Sequence, residues 1–100
     1  MSRGINEEFV DLIMKIQDFL DECNCTANCF KIANKLNTSS KRAAYALKIL
    51  LLCGAVKRVD KRNGRWFYKL NYKVDRDVVR KTLSNYGRYL AAKRYKKEVY

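Results

Sequence analysis

Apolar residues recur every three or four positions near the start of the chain, which is the spacing of one face of an α-helix. The residues in this pattern are Phe9, Leu12, Ile13, Ile16, Phe19 and Leu20. Acidic side chains occupy many of the positions between them. The pattern predicts a first amphipathic helix near residues 6–22.

A second, shorter helix is predicted after an extended segment at residues 23–27, which holds small residues and a β-branched threonine. Asn28 or Thr26 is suited to cap this helix, because a short polar side chain accepts hydrogen bonds from the N–H groups of the first turn. The apolar residues of its inner face are Cys29, Ile32, Ala33 and Leu36.

A third helix is predicted over residues 41–52, which contain good helix formers and neither Gly nor Pro. Residues 37–40 precede it with turn and capping side chains, and Gly54 is the expected C-terminal stop. We expect Ala43, Leu47 and Leu50 to face the core. The side chains that this arrangement turns outward are Ser40, Lys41, Ala44, Tyr45 and Lys48, with Arg42 near the boundary.

Beyond Gly54 the pattern changes to two extended segments, residues 55–62 and 65–70, on either side of Asn63-Gly64. Asn-Gly is a strong hairpin signal, because a type I′ turn needs a positive φ at both central residues. A two-residue turn predicts three cross-strand pairs, which are Lys61 with Trp66, Val59 with Tyr68 and Lys57 with Leu70. The opposite face would then carry Arg58, Arg62, Arg65 and Lys69.

A last amphipathic helix is predicted from near Asp75, which is suited as its N-cap, to a point close to the C-terminus. Val74 and Val79 are spaced as a hydrophobic staple at its start. A chain of 100 residues can close one modest core. We therefore expect a compact, mainly α-helical fold with a small β-hairpin in residues 1–71, followed by the C-terminal helix in residues 72–100.

Basic residues exceed acidic ones and are unevenly distributed. The chain has 22 Lys and Arg against 10 Asp and Glu, a net charge of +12. Residues 1–40 hold 4 basic and 6 acidic side chains, whereas residues 41–100 hold 18 basic and 4 acidic ones. A solvated basic surface is the ordinary interpretation, but a polyanionic partner explains why the excess is confined to one part of the chain. An anionic membrane would instead favour a single basic amphipathic helix.

Three stretches of sequence carry a resemblance to a known superfamily. They are Ile32-Ala33-x-x-Leu36 with Thr38-Ser39-Ser40, then Ala43-x-x-x-Leu47-x-x-Leu50-x-x-x-Gly54-Ala55-Val56, and finally Gly64-Arg65-Trp66-x-Tyr68-x-Leu70-Asn71. Over about residues 8–71 the chain resembles the winged helix-turn-helix regulators of bacteria and archaea, of the MarR and ArsR types. The resemblance implies a winged helix-turn-helix followed by a long C-terminal helix. Because the chain has no histidine, the metal sensing of the ArsR type through mixed ligands is not expected.

The resemblance also implies which residues meet a ligand. In such folds the third helix enters the major groove of double-stranded DNA with its N-terminal part foremost. The DNA-contacting residues expected on this helix are Ser39, Ser40, Lys41, Arg42, Tyr45 and Lys48. For Tyr45 the alternative is packing on a neighbouring helix.

The hairpin would form the wing, which can straddle a phosphate ridge or place an arginine in a narrow minor groove. Its expected contact residues are Arg58, Lys61, Arg62, Arg65 and Lys69. Arg62 and Arg65 face each other beside the turn, and such a like-charged pair is tolerated more readily when an anion binds there. Ordinary solubilising charge on an edge strand is the alternative. Trp66 is expected in the core or as a cation–π partner of Lys61.

Apolar residues at the end of the third helix, Ile49, Leu51 and Leu52, require a cover. The last helix offers more apolar surface than one flank of a small domain needs. The residues concerned are Val79, Leu83, Tyr86 and Leu90. We predict a two-fold symmetric homodimer built on them, which would place two copies of the third helix on half-sites about 34 Å apart.

Three of the four cysteines, Cys23, Cys25 and Cys29, cluster at the start of the second helix, and Cys53 ends the third. Three interpretations remain open, namely buried thiols, a disulfide of undetermined pairing, and a tetrathiolate zinc site. Because Cys-x-Cys-x3-Cys with a distant fourth ligand is not a usual zinc spacing, no metal is predicted.

The sequence thus predicts a homodimeric transcriptional regulator that binds double-stranded DNA and is cytoplasmic and nucleoid-associated. A sequence-tolerant DNA-packing protein and a winged-helix protein-interaction module are the alternatives. Catalysis is not expected, because the chain has no histidine and no Gly-rich phosphate loop. We expect no cofactor, no small-molecule ligand and no membrane contact, since the longest apolar run is far shorter than the roughly 20 residues of a membrane span.

Overall fold

A computed structural model of the chain describes the backbone of residues 6–99 and the side chains of residues 6–87. This part of the chain is a small α+β domain, mainly helical, with a two-stranded antiparallel hairpin. In chain order its elements are α1 (Glu7–Cys23), α2 (Cys29–Lys35), α3 (Ser40–Leu52), β1 (Val56–Arg62), β2 (Arg65–Leu70) and α4 (Arg76–Val99). The predictions of the first three helices and of both strands are confirmed.

Short polar side chains start the helices by accepting hydrogen bonds from first-turn N–H groups. Asn28, rather than Thr26, caps α2 through a bond of 2.8 Å. Ser39 caps α3 at 3.1 Å. Asp75 accepts a bond of 3.0 Å from the first turn of α4, so this helix begins where its cap predicted.

Gly54 ends α3 in a Schellman motif. Its φ is +80°, in the left-handed region that glycine adopts without a Cβ clash. The Gly54 N–H donates to the Leu51 carbonyl and the Ala55 N–H to the Leu50 carbonyl, both at 3.0 Å. The predicted stop is confirmed, and it turns the chain directly into β1.

The core lies where the inner faces of the helices meet the base of the hairpin. Its fully buried members include Val10, Ile13, Ile16, Ile32, Ala43, Leu47 and Leu50. Ile49 at the far end of α3 is also fully buried, as is Val79 of α4. Because α4 packs against both α1 and α3, its first turns belong to the same core.

A buried glutamine fixes the start of α4 to α1. Gln17 is fully buried in α1, and its Oε1 accepts a hydrogen bond of 2.6 Å from the Val74 backbone N–H. Its Nε2 donates to the Val74 carbonyl oxygen at 3.0 Å. One amide therefore satisfies both polar groups of the peptide segment that leads into α4.

The hairpin has the predicted turn but only part of the predicted register. Asn63 and Gly64 have φ values of +54° and +78°, and Lys61 pairs with Trp66 as predicted. Beyond this point a β-bulge between Arg58 and Asp60 shifts the pairing by one residue.

The bulge makes two of the predicted pairs wrong. Tyr68 pairs with Arg58 instead of Val59, and Leu70 pairs with Val56 instead of Lys57. The extra residue inverts every side chain before it in β1, because neighbouring side chains of a strand point to opposite faces.

The extended segment before α2 joins the hairpin as a single bridge. The Ala27 N–H donates to the Tyr68 carbonyl at 3.1 Å, and the Tyr68 N–H donates to the Ala27 carbonyl at 2.8 Å. This pair of bonds holds the start of α2 against β2.

Candidate nucleic-acid interface

The outer side of α3 carries the helix residues predicted to contact DNA. Lys41, Tyr45 and Lys48 are exposed and share this side, one turn apart. Arg42 is exposed beside them, and Ser40 is half-buried in the first turn. The Ser39 hydroxyl accepts the capping bond of α3, so its position is fixed by the helix start.

Three side chains of this side rest on aromatic rings of α1 and α4. Phe9, Tyr45 and Tyr86 form an aromatic cluster, in which the Tyr45 ring centre lies 4.9 Å from that of Phe9 and 6.0 Å from that of Tyr86. The Arg42 guanidinium lies 5.5 Å from the Phe9 ring centre, and the Lys48 ammonium 5.6 Å from that of Tyr86. Tyr45 thus packs on neighbouring helices, while 41% of its surface stays exposed.

Two open grooves flank the aromatic cluster. The first has a volume of about 350 Å³ and is lined by Asn6, Phe9, Arg42, Tyr45 and Leu83. The second has a volume of about 520 Å³ and is lined by Lys48, Leu52, Thr82, Asn85 and Tyr86. Solvent therefore reaches the cluster from two sides.

One face of the hairpin sets cations against its own aromatic rings. The Arg58 guanidinium lies 5.2 Å from the Trp66 ring centre and 5.9 Å from that of Tyr68. Lys61 lies 5.4 Å from the Trp66 ring centre, so the predicted cation–π pair is confirmed. The prediction that Arg58 shares a face with Arg62 is wrong, because the bulge lies between them.

The other face holds the two arginines beside the turn. Arg62 and Arg65 are paired across the strands as predicted, and their guanidinium groups contact different partners. Arg62 forms an ion pair of 2.6 Å with Asp60 and lies 5.3 Å from the Phe67 ring centre. Arg65 lies 4.0 Å from the ring centre of Phe30, a residue of α2.

Lys69 lies away from the turn, near the base of the hairpin. It pairs with Lys57 and lines a polar cavity of about 250 Å³ together with residues from the end of α1. Its neighbours in that cavity include Asp21, Asn24, Asn71 and Lys73. Of the predicted hairpin residues, Lys69 is therefore set apart from the arginines at the tip.

Four of the six acidic side chains of α1 form ion pairs with basic residues that follow the hairpin. Arg80 makes a two-pronged contact with Glu7, at 2.8 and 3.0 Å. Arg76 lies 2.6 Å from Asp11. Lys73 pairs with Asp18 at 2.9 Å and with Asp21 at 3.8 Å.

These ion pairs shift the titration of their members in the expected directions. The hydrogen bond from Arg80 lowers the pKa of the Glu7 carboxyl below its ordinary value. The hydrogen bond to Asp18 raises the pKa of the Lys73 ammonium. Both groups are exposed, so water and salt screen these interactions.

Most cations of α3 and of the hairpin form no such ion pair. Within the described side chains, Arg62 is the one that forms an ion pair, with Asp60. The others form none there and are Lys41, Arg42, Lys48, Lys57, Arg58, Lys61, Arg65 and Lys69. The cations without an ion pair within residues 6–87 are therefore concentrated on α3 and the hairpin, while α1, α2 and α4 add four more, which are Lys15, Lys31, Lys35 and Lys81.

Of the residues predicted to form a dimer interface, the three whose side chains are described face the core of their own chain. Val79 is fully buried there, so its assignment to an intermolecular contact is wrong for this fold. Leu83 and Tyr86 are partly buried against the same core. Leu90 lies outside the described side chains. Leu52, for which a cover was predicted, remains 54% exposed at the end of α3.

The cysteines divide between two of the interpretations left open by the sequence. Cys23 and Cys25 form a disulfide, with their Cα atoms 5.1 Å apart. Cys29 and Cys53 are thiols that pack partly buried against the core. Among the described residues no group of three His, Cys, Asp or Glu side chains could hold a metal ion.

Three functional or positioning residues escaped the sequence reasoning. Phe30 lies beside a hairpin arginine, Asp60 neutralises another, and Gln17 fixes α4. A glutamine at an inner position of an amphipathic helix was the available signal for Gln17, because the other residues of that face are apolar. The spacing was an available signal for the Asp60 contact with Arg62, since residues two apart in a strand share a face. The Phe30 contact could not be read from the spacing, because it depends on a bridge between distant segments.

Over residues 6–99 no helix has both the length and the apolar character needed to cross a membrane. Comparisons of the chain with family models, with curated proteins and with solved structures find no match.

Proposed function

We propose that this chain binds double-stranded DNA as a winged helix-turn-helix protein and regulates transcription as a homodimer. In this proposal α3 enters the major groove and the hairpin, acting as the wing, lies on the neighbouring phosphates or in the minor groove.

The distribution of uncompensated charge is the observation that carries the proposal. Three basic side chains that follow the hairpin, Lys73, Arg76 and Arg80, pair with acids of α1, whereas Lys81 forms no ion pair among the described side chains. The cations of α3 and of the hairpin lack such partners among the described side chains, apart from Arg62. Positive charge that is not neutralised inside the chain is stabilised by a polyanion, and DNA supplies a regular row of phosphates.

The position of these cations along α3 supports the same proposal. Lys41 and Arg42 lie in the first turn, where the partial positive charge of the helix N-terminus adds to their own. Tyr45 follows one turn later with its ring partly exposed. A helix that presents this end to DNA could donate to phosphates and to base edges from the same turn.

The direct test is the salt dependence of binding to a mixed-sequence duplex of about 30 base pairs, followed by fluorescence anisotropy. If α3 and the hairpin contact five to eight phosphates, log K should fall with log salt at a slope of about −4 to −7. No binding at about 150 mM salt would contradict the proposal and favour a protein-interaction module.

A sequence-tolerant DNA-packing role is the second candidate, and the outer side of α3 favours it. Ala44 and Leu52 occupy that side between and beyond the lysines, and neither can hydrogen-bond to a base edge. Arg42 and Lys48 form cation–π contacts with Phe9 and Tyr86 of the aromatic cluster. Selection of bound sites from a random duplex pool separates the two roles. A regulator should prefer its site by about 10³ or more, whereas a packing protein should show almost no preference.

A further inference from the structure

Phe30 is a large apolar residue that the core does not bury. It lies in the first turn of α2 and is 44% exposed. The guanidinium carbon of Arg65 lies 4.0 Å from the centre of its ring. Among the described residues this is the shortest distance between a cation and a ring centre.

The fold itself brings this pair together. The bridge between Ala27 and Tyr68 holds the start of α2 against β2, three residues from each member of the pair. Arg58, Lys61 and Arg62 lie over rings of the hairpin itself, and Arg62 also pairs with Asp60. Arg65 is the hairpin cation whose described ring partner comes from another element.

A ring in this position changes what the arginine can do. A free arginine at a hairpin tip samples many rotamers and loses that freedom when it binds an anion. A guanidinium held over a ring keeps its charge, and its N–H groups remain able to donate at the edge. The ring attracts the cation and leaves its charge in place, whereas the Asp60 carboxylate neutralises the charge of Arg62.

We propose that Phe30 is a positioning residue for Arg65, which it holds in the orientation that grips a DNA phosphate. The proposal rests on the function inferred above, and it extends the DNA-binding surface from the hairpin onto the first turn of α2. Arg65, rather than Arg62, then becomes the principal phosphate contact at the hairpin tip, because Arg62 is already paired.

A double-mutant cycle on binding to the mixed-sequence duplex tests this role. Phe30→Ala should weaken binding by about two- to five-fold, the equivalent of an exposed cation–π contact. Arg65→Ala should weaken it by about tenfold, the loss of one charge-assisted phosphate contact. Phe30→Ala should have no further effect once Arg65 is alanine, because its contribution acts through that side chain.

Conservative variants distinguish the effect of the aromatic ring of Phe30 from the effect of its apolar volume. Phe30→Tyr keeps the ring face and should bind as the unmodified chain does, whereas Phe30→Leu should bind as weakly as Phe30→Ala. Val78→Ala, which truncates a side chain of similar exposure on α4, is the matched control and should leave binding unchanged. Circular dichroism checks that each variant is folded.

Three outcomes overturn the inference, and they are distinguishable. Additive effects of the two alanine variants would show that Phe30 acts independently of Arg65. An unaffected Arg65→Ala variant would show that this arginine is not part of the grip, even if the chain binds DNA. Failure of the unmodified chain to bind duplex would overturn the proposed function as well.

Discussion

Gln17 offers a quantitative test of how α4 is fixed to α1. Replacing it with leucine keeps a side chain of similar volume and removes both hydrogen bonds to the Val74 peptide groups, of 2.6 and 3.0 Å. An unsatisfied buried polar group costs about 1–3 kcal/mol. Because Val74 is only half-buried, the lower part of that range applies to each group. We expect Gln17→Leu to lose about 2–4 kcal/mol of unfolding free energy.

Urea unfolding followed by far-UV circular dichroism measures this loss. In thermal unfolding followed by the same signal, the melting temperature should fall by at least about 8 °C, since each kcal/mol shifts it by about 4 °C or more in a domain of this size. Asn34→Leu replaces an exposed amide on α2 and should change the stability by no more than about 0.5 kcal/mol. A Gln17→Leu variant as stable as the unmodified chain would refute the reasoning.

Gln17→Glu adds a check on the direction of the hydrogen bonds. An ionised carboxylate can accept from the Val74 N–H but cannot donate to the Val74 carbonyl, whereas a protonated one can do both. Burial raises the pKa of such a carboxyl. The deficit of this variant against the unmodified chain should therefore shrink as the pH falls, and a deficit that grows would contradict the assigned bonds.

Three further predictions concern the remaining local contacts. The hydrogen bond from Arg80 lowers the pKa of Glu7, so its stabilisation is present above the ordinary Glu pKa and is lost as the pH falls through the lowered value. Urea unfolding between pH about 5 and about 3 should thus show a steeper loss for the unmodified chain than for Glu7→Gln, and equal losses would argue against the pair. Gly64→Ala should cost about 1–2 kcal/mol in the same assay, because its φ of +78° is unfavourable for a residue with a Cβ. An added Cβ would meet nothing within 4 Å, so the backbone conformation alone sets this cost, and a neutral effect would mean that the turn adopts another geometry. Intact mass after alkylation should show two modified cysteines without reductant and four with it, and reduction of Cys23–Cys25 should cost about 1–2 kcal/mol, since it opens a very short loop.

The helices and the turn could be predicted because their signals are local. Helical spacing located α1, the Asn63-Gly64 pair located the turn, and Gly54 located the end of α3. Each depends on backbone preferences within a few residues, which tertiary contacts did not override. The disulfide joins cysteines only two residues apart, but spacing alone did not distinguish this pairing from the other possible ones. The Arg65 contact with Phe30 depends on a distance between segments, which the pattern of residues does not encode.

Two errors have a common physical origin. The bulge beside Val59 changes the register of the hairpin, yet the turn determines the pairing only near the tip. The apolar spacing of α4 predicts a buried face but does not distinguish the core of the same chain from a partner, so Val79 was assigned to a dimer. In both cases the element was predicted correctly, but the residues against which it packs or pairs were not.

The central claim is that uncompensated charge on α3 and the hairpin binds duplex DNA. Two double variants that remove equal charge test it most directly, Lys41→Ala with Arg65→Ala and Lys73→Ala with Arg76→Ala. In duplex binding measured between about 50 and 200 mM salt, the first should weaken affinity by at least about tenfold and reduce the salt slope by about two. The second removes cations that already pair with α1 and should stay within about twofold of the unmodified chain. Equal losses in the two variants would contradict the account, because binding would then depend on net charge alone.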